Sequence, residues 1–271
     1  MMEWKNIFRG MLIGASDLVP GVSGGTIGVI LGIYERLIVA ISGFFSREWR
    51  KHLGFLIPLG VGAVLAIFLL SHVMKWLLEY YPQPTFFFFL GLIGGIVPFL
   101  FKKINYKSTF GIKHYVVLLI SAIAIATTAF IKEDKEAVII EALNTTTALY
   151  LFFSGWLASM AMLLPGISGS LVMLLLGAYE TVINALATLN VGIIVVVGAG
   201  IVVGFIISSK VIRYLLATMP VFTYAIIIGM VLGSVIVIFP GIESNVMLLV
   251  VSILTFIVGF YSASYVGRHE Q

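Results

Sequence analysis

Pro20-Gly21-Val22-Ser23-Gly24 interrupts an apolar segment in the first half of the chain, and Pro165-Gly166-Ile167-Ser168-Gly169 interrupts one in the second. Proline lacks an amide donor and glycine favours open backbone conformations, so both sequences predict a broken helix. Inside a membrane the freed backbone groups need protein, water or a ligand as hydrogen-bond partners. The two breaks therefore decide the fold and mark a candidate site.

The composition places the segments around the breaks in a membrane. Apolar residues make up 61% of the 271 residues and charged residues only 10%, against roughly a quarter in soluble proteins. Apolar runs of about twenty residues recur along the chain, and each is long enough to cross about 30 Å of hydrocarbon. The small net charge of +4 argues against a nucleic-acid surface, and the absence of cysteine excludes thiolate chemistry.

The two breaks belong to an internal repeat. The segment from Gly10 to Glu35 matches the segment from Gly155 to Glu180 at a constant offset of 145 residues, and later segments match at an offset of 138. A mixed-charge run separates the halves. The predicted units are a first repeat over 1–131, a linker over 132–148 and a second repeat over 149–271.

The placement of lysine and arginine indicates how the repeats cross the membrane, because cytoplasmic loops carry the excess of these residues. If 7–38 and 149–188 each cross once, the two faces receive eight basic residues each; if both are re-entrant hairpins, one face receives thirteen of the sixteen. Three crossings then complete each repeat, and an odd number inverts the second. The predicted crossings are 54–78, 86–101 and 115–131, then 190–209, 221–239 and 246–266.

The predicted fold class is an all-α integral membrane protein of two inverted-topology repeats, each with a re-entrant broken-helix hairpin and three transmembrane helices. The positive-inside rule places both termini in the cytoplasm. Hairpin arms of about 14 residues reach roughly 21 Å, past the middle of the bilayer. Both breaks are therefore expected between the repeats, where transporters of this architecture bind substrate.

The chemistry of the breaks favours an anion. A helix that restarts near Thr26 or Leu171 directs unpaired N–H groups and the positive end of its dipole at the gap. A phosphate or a carboxylate is the expected ligand, although glycine and proline that serve only packing and kinking are the alternative. The predicted anion-binding residues are Ser23, Gly24, Gly25, Thr26, Ser168, Gly169 and Ser170, and the helix breaks are Pro20, Gly21, Pro165 and Gly166.

Acidic residues near the breaks are candidates for coupling or gating. Asp17 lies in the apolar arm three residues before Pro20, and its counterpart is Met162, so the halves are not equivalent. An acid within the membrane is a functional candidate, here for proton or sodium coupling or for capping the restarted helix; structural pairing is the alternative. Glu35 and Glu180, at the hairpin ends, are either gating residues or solvated surface acids.

Two basic residues occupy matched positions near the ends of crossings. Lys75 and Arg213 lie on opposite faces in the inverted arrangement, where they either steer an anionic headgroup or extend to the interface without a further role. The four histidines have no metal-ligand spacing. No metal or other cofactor is expected.

The chain resembles the PopT family of bacterial polyprenyl-phosphate transporters over its full length. The resemblance is carried by Gly14-Ala15-Ser16-Asp17-Leu18-Val19-Pro20-Gly21-Val22-Ser23-Gly24-Gly25-Thr26, by Gly32-Ile33-Tyr34-Glu35 and by Leu164-Pro165-Gly166-Ile167-Ser168-Gly169-Ser170. It implies a non-enzymatic flippase of the bacterial plasma membrane. Its substrate would be undecaprenyl phosphate, the lipid carrier of peptidoglycan synthesis, returned from the outer to the cytoplasmic leaflet.

The residues alone predict only an anion-handling inverted-repeat transporter. With the substrate that the resemblance implies, the phosphate would dock between the hairpin tips while the isoprenoid tail stays in the lipid, and rocking of one repeat against the other would give alternating access. A small-anion channel or carrier, a lipid phosphatase and a membrane assembly factor are the rival interpretations. The phosphatase would need clustered histidine, arginine and aspartate, which the sequence lacks.

Overall fold

The computed structural model describes residues 2–19, 21–44, 46–130, 139–140, 142–243 and 245–269. Pro20 and residues 132–138 and 141 of the predicted linker lie outside this range. The described elements are all helices: α1 (Asn6–Asp17), α2 (Gly24–Ile30), α3 (Tyr34–Phe44), α4 (Trp49–Tyr80), α5 (Pro82–Lys103), α6 (Tyr106–Thr109), α7 (Ile112–Thr128), α8 (Thr145–Leu163), α9 (Gly169–Leu175), α10 (Tyr179–Ala187), α11 (Val191–Thr218), α12 (Pro220–Ile238) and α13 (Val246–His269).

The prediction of an all-α membrane protein is confirmed. Six of the described helices, α4, α5, α8, α11, α12 and α13, are long and apolar enough to cross a membrane, and α7 is a shorter apolar helix. The six predicted crossings fall on α4, α5, α7, α11, α12 and α13. The helix α8 belongs instead to the second predicted hairpin.

The start and the end of each predicted hairpin contact each other. Glu3, just before α1, forms an ion pair with Arg36 in α3, and the N–H of Ile140, before α8, donates to Thr181 Oγ1 in α10 at 3.1 Å. The hydrogen bond from Arg36 holds the pKa of Glu3 below its usual range, so this pair weakens only as the pH falls through that lowered pKa. Both segments therefore return to the face at which they entered.

The contacts between α5 and α13 fix the relative direction of the two halves. Thr255 Oγ1 donates to the Pro84 carbonyl at 2.8 Å, and Ser264 Oγ donates to the Gly95 carbonyl at 3.4 Å. Later residues of α5 meet later residues of α13, so the two helices run parallel. Single crossings at 7–38 and 149–188 would make them antiparallel. The parallel pair therefore requires the inverted arrangement.

One helix of each half packs mainly against a helix of the other half. The extensive pairs within a half are α1 with α4 and α8 with α11, whereas α13 packs along α5 and α7 packs along α12. Glycines permit close approach at equivalent points: a methyl group at Gly62 would overlap the carbonyl of Ile7, and one at Gly200 would overlap that of Phe152. Close helix packing thus explains these two glycines.

Gly62→Ala is expected to destabilise the fold by about 1–3 kcal/mol, because the new methyl group forces α1 away from α4. The melting temperature of the purified protein in detergent should fall by several degrees. Gly60→Ala is the matched control, since Gly60 lies in the same helix with open space around it. Equal melting temperatures for the two variants would contradict this packing.

The returning arm of each hairpin is divided a second time. The helices α2 and α9 have seven residues each, and glycines with φ of +63° at Gly32 and +74° at Gly177 follow them. The next helix turns away, with 109° between α9 and α10. The sequence predicts hairpin arms of about 14 residues. A short helix and a bend form instead, because both glycines adopt left-handed backbone conformations.

Candidate functional site

The two predicted breaks contact each other in the interior of the protein. The chain turns at Gly21 and Gly166, whose φ angles of +81° and +88° favour glycine. The N–H of Gly166 donates to Thr26 Oγ1 at 2.8 Å, and Ser23 Oγ donates to the carbonyl of Leu164 at 3.3 Å. Residues that lie 140 and 141 positions apart in the sequence thus form one constellation.

The first break is capped by its own side chains. Asp17 Oδ1 accepts a hydrogen bond from the N–H of Gly24 at 3.0 Å, and Ser23 Oγ accepts one from the N–H of Gly25 at 3.2 Å. Ser23 and Thr26 are buried, each 2% exposed. Of the roles considered for Asp17, a cap on the restarted helix is the one this geometry forms. The helix restarts at Gly24, two residues before the position expected from the sequence.

The second break has a different donor pattern. Met162 occupies the position equivalent to Asp17, and Ser168 makes no side-chain capping bond to α9 within the described structure. Ser168 Oγ lies 2.7 Å from Ser170 Oγ. Ser168 is half-buried and Ser170 is exposed, so this hydroxyl pair can reach a ligand without breaking a bond between the two hairpins.

Glu35 joins three helices at one end of the bundle. Its carboxylate pairs with Lys103 Nζ of α5 at 2.9 Å and accepts a hydrogen bond from the hydroxyl of Tyr224 in α12. Glu180 is exposed, and no ion pair with it is found in the described residues. The repeat places Gly241 where Lys103 lies. Glu35 and Glu180 are therefore equivalent in sequence but not in structure.

If the chain is the lipid transporter that its motifs resemble, Glu35→Gln is expected to change the transport rate by about two- to fivefold, because a half-exposed ion pair contributes at most about 1 kcal/mol. The variant loses the charge that holds Lys103 and keeps a side chain of the same size. Glu180→Gln is the matched control and should stay within the error of wild type. Transport by both variants in vesicles checks this expectation, and equal effects would show that the ion pair has no role.

Lys75 and Arg213 do not join the breaks. Both side chains are exposed, on α4 and α11, and neither is hydrogen-bonded to a break residue in the described part of the chain. A hydrogen bond from Lys51 is the main cause that lowers the pKa of Glu48, and the charge of Arg213 adds to it. Arg213 thus lies near the basic loop that precedes α4. Their role in steering a headgroup stays a prediction.

Sequence reasoning missed several residues that connect the site. The buried Tyr34 donates its hydroxyl hydrogen to the carbonyl of Leu163 at 3.0 Å, directly beside the second break. A tyrosine also occupies the equivalent position of the second repeat, Tyr179, and this duplication could have identified Tyr34 from the sequence. Lys103 and Tyr224 gave no such signal, because each contacts Glu35 from a helix distant in the sequence, α5 of the same half and α12 of the other half.

No metal site is evident in the described residues, where no three histidine, aspartate or glutamate side chains cluster. The site consists instead of backbone amides, serine and threonine hydroxyls and the Asp17 carboxylate. Such donors suit an anion, and the carboxylate can exchange a proton or attract a cation.

Broken helices that meet across an inverted repeat, within a bundle of membrane-spanning helices, are typical of secondary transporters. The chain belongs to the undecaprenyl phosphate translocase-like (VCA0040-like) family, whose model matches residues 13–253. The resemblance indicated by the two motifs is thereby confirmed.

Two curated relatives support this assignment. The chain is 45% identical over 273 residues to a polyprenyl-phosphate transporter of Staphylococcus aureus (strain NCTC 8325 / PS 47), covering 98% of this chain and 96% of that one. It is 32% identical over 249 residues to a polyprenyl-phosphate transporter of Vibrio cholerae serotype O1, covering 87% and 77%. No solved structure matches the chain.

Proposed function

We propose that this chain is a flippase that returns undecaprenyl phosphate from the outer to the cytoplasmic leaflet of the bacterial plasma membrane. The observation that carries the proposal is the unequal pair of breaks: Asp17 caps the first, whereas the Ser168 and Ser170 hydroxyls of the second remain accessible. The names of the two relatives supply the substrate class. The phosphate is the group that these donors would bind.

The phosphate enters at the second break. Ser168 and Ser170 donate to its oxygens, and hydrogen bonds to a charged acceptor are about twice as strong as neutral ones. The phosphate then competes with the Asp17 carboxylate for the N–H of Gly24, because both are anions. Release of Asp17 from Gly24 would extend the site to the first break, with Ser23 and Thr26 as further donors.

Asp17 would couple this exchange to a cation. A proton or a sodium ion that neutralises the carboxylate weakens its hydrogen bond to Gly24 and removes its repulsion of the phosphate. A neutral acid is also less costly than a charged one in a membrane. Transport driven by a proton gradient and insensitive to sodium would identify the proton as the coupling ion.

Alternating access would open and close the ends of this site. The hydrogen bond from the Tyr224 hydroxyl to Glu35 ties α12 of the second repeat to α3 of the first at one end, and separation of the repeats there requires that it breaks. The basic loops near this end make it cytoplasmic under the positive-inside rule. Lys75 would attract the headgroup at the outer face and Arg213 at the inner face.

Reconstituted vesicles distinguish this function from its rivals. Vesicles with the protein should move a polyprenyl phosphate from the outer to the inner leaflet, measured as loss of its accessibility to an external phosphatase, and should leave radiolabelled inorganic phosphate outside. Entry of inorganic phosphate without lipid movement would indicate a small-anion carrier. Release of phosphate from the lipid by the purified protein would indicate a phosphatase.

A further inference from the structure

An apolar cavity lies beside the first break. Its volume is about 630 Å³, within the range of small-molecule sites, and α1, α2, α4, α5 and α13 form its walls. Side chains that define it include Leu12, Ile30, Leu77, Phe88 and Val251. Its position between the hairpin and three long helices puts it at membrane depth.

The serine and threonine hydroxyls in the cavity wall already donate hydrogen bonds within the protein. Each donates to a backbone carbonyl at a distance of 2.6 to 2.8 Å, which leaves no hydroxyl hydrogen for a ligand. These residues are Ser16, Thr85, Thr255 and Ser262. A buried water needs two to four polar partners, so an apolar occupant fits this wall better than water or a headgroup.

The cavity lies beside the first break, to which the proposed phosphate site extends, and is long in one direction. Ser16 in its wall directly precedes Asp17, and Ile27 belongs to the short helix that starts at Gly24. The wall on α13 extends from Val251 to Val266, a rise of about 22 Å. A chain attached to a phosphate at the breaks would therefore find an apolar channel next to its headgroup.

We propose that this cavity binds the first isoprene units of the polyprenyl chain while the phosphate occupies the breaks. The inference rests on the proposed function and replaces the expectation that the whole tail stays in the lipid. In a polyprenyl phosphate a single hydrocarbon chain joins the phosphate directly. A glycerophospholipid would place its ester groups at this depth, where the wall leaves them without hydrogen-bond donors.

Photolabelling tests the occupant. Purified protein is irradiated with a farnesyl phosphate that carries a photoreactive group on its terminal isoprene unit, and the labelled peptides are identified by mass spectrometry. The label is expected on cavity residues of α4, α5 and α13, such as Met74, Phe88 and Val251. Label confined to lipid-facing positions such as Phe68 and Leu254 would overturn the inference. Equal labelling of the cavity by a photoreactive phosphatidylglycerol would also overturn it.

Two variants that fill the cavity from different walls test the same inference by affinity. Ala15→Leu on α1 and Leu77→Trp on α4 should each weaken farnesyl phosphate binding by about tenfold, because they displace several methylene groups of the ligand. Ala124→Leu on α7 is the matched control, an exposed alanine outside the cavity. Unchanged affinity in both cavity variants, with folding verified by the melting temperature, would contradict the proposal.

The outcomes separate this inference from the proposed function. Photoreactive farnesol, which lacks the phosphate, should still label the cavity in a Ser168→Ala/Ser170→Ala variant. Cavity labelling without lipid transport by the wild-type protein would refute the function and leave the cavity assignment in place. Serine-dependent transport with no label in the cavity would refute the cavity assignment alone.

Discussion

Ser168→Ala/Ser170→Ala is expected to reduce polyprenyl-phosphate transport by at least about a hundredfold. Each hydroxyl would donate to a charged phosphate, and such a hydrogen bond contributes about 1.5–3 kcal/mol. Loss of two donors therefore removes about 3 kcal/mol or more, and every 1.4 kcal/mol is a factor of ten. The two hydroxyls bond to each other and not to the first hairpin, so the fold should survive.

The matched comparison is Ser23→Ala. Ser23 is buried and bonds both to Gly25 and to the carbonyl of Leu164, so its loss should lower the melting temperature more than the double substitution does. Transport rates at saturating and limiting lipid, measured in vesicles, separate weakened binding from a slower step. Wild-type transport by the double variant would remove the second break from the site.

Asp17→Asn is expected to slow transport by about ten- to a hundredfold. Asparagine keeps an oxygen that can accept from the N–H of Gly24, so the first break stays capped. The amide cannot bind or release a proton, and it cannot respond to a cation as a carboxylate does. In the proposed exchange a cation weakens a hydrogen bond to a charged group, which is worth about 1.5–3 kcal/mol. A side chain that no cation can neutralise loses this contribution, which sets the size of the effect.

A reciprocal variant sharpens this test. Met162→Asp adds an acid at the equivalent position of the second repeat, where its carboxylate would cap α9 and compete with the phosphate. It should lower the affinity for farnesyl phosphate, whereas Met162→Leu should not. If Asp17→Asn transports normally and retains its dependence on a proton or sodium gradient, Asp17 is only a structural cap.

The sequence was sufficient for the features that depend on composition and on local chemistry. The repeated Pro-Gly-x-Ser-Gly predicts both breaks, and the distribution of basic residues predicts the re-entrant hairpins that the contacts of Glu3 with Arg36 and of Ile140 with Thr181 support. The second bend at Gly32 and Gly177 was not predicted, although both repeats carry a sequence signal for it. A glycine precedes Tyr-Glu by two positions in both repeats.

The features that depend on packing between distant segments were not predictable. The spacing of apolar residues does not show that α13 packs against α5 or that α7 packs against α12. Hydrophobic periodicity indicates which face of a helix is buried, but not which helix covers that face. The contact of Glu35 with Tyr224 spans 189 residues and has no equivalent in the other half. The repeat predicts two similar ends, whereas Lys103 and Tyr224, whose counterparts in the repeat are Gly241 and Phe86, make them different.

The most direct test of the central claim is an experimental structure of the protein bound to a polyprenyl phosphate. We expect density for the phosphate within hydrogen-bonding distance of the Ser168 and Ser170 hydroxyls, with Asp17 at the edge of the same site. Density for the phosphate only at the membrane surface, beside Lys75 or Arg213 and with both breaks empty, would contradict it.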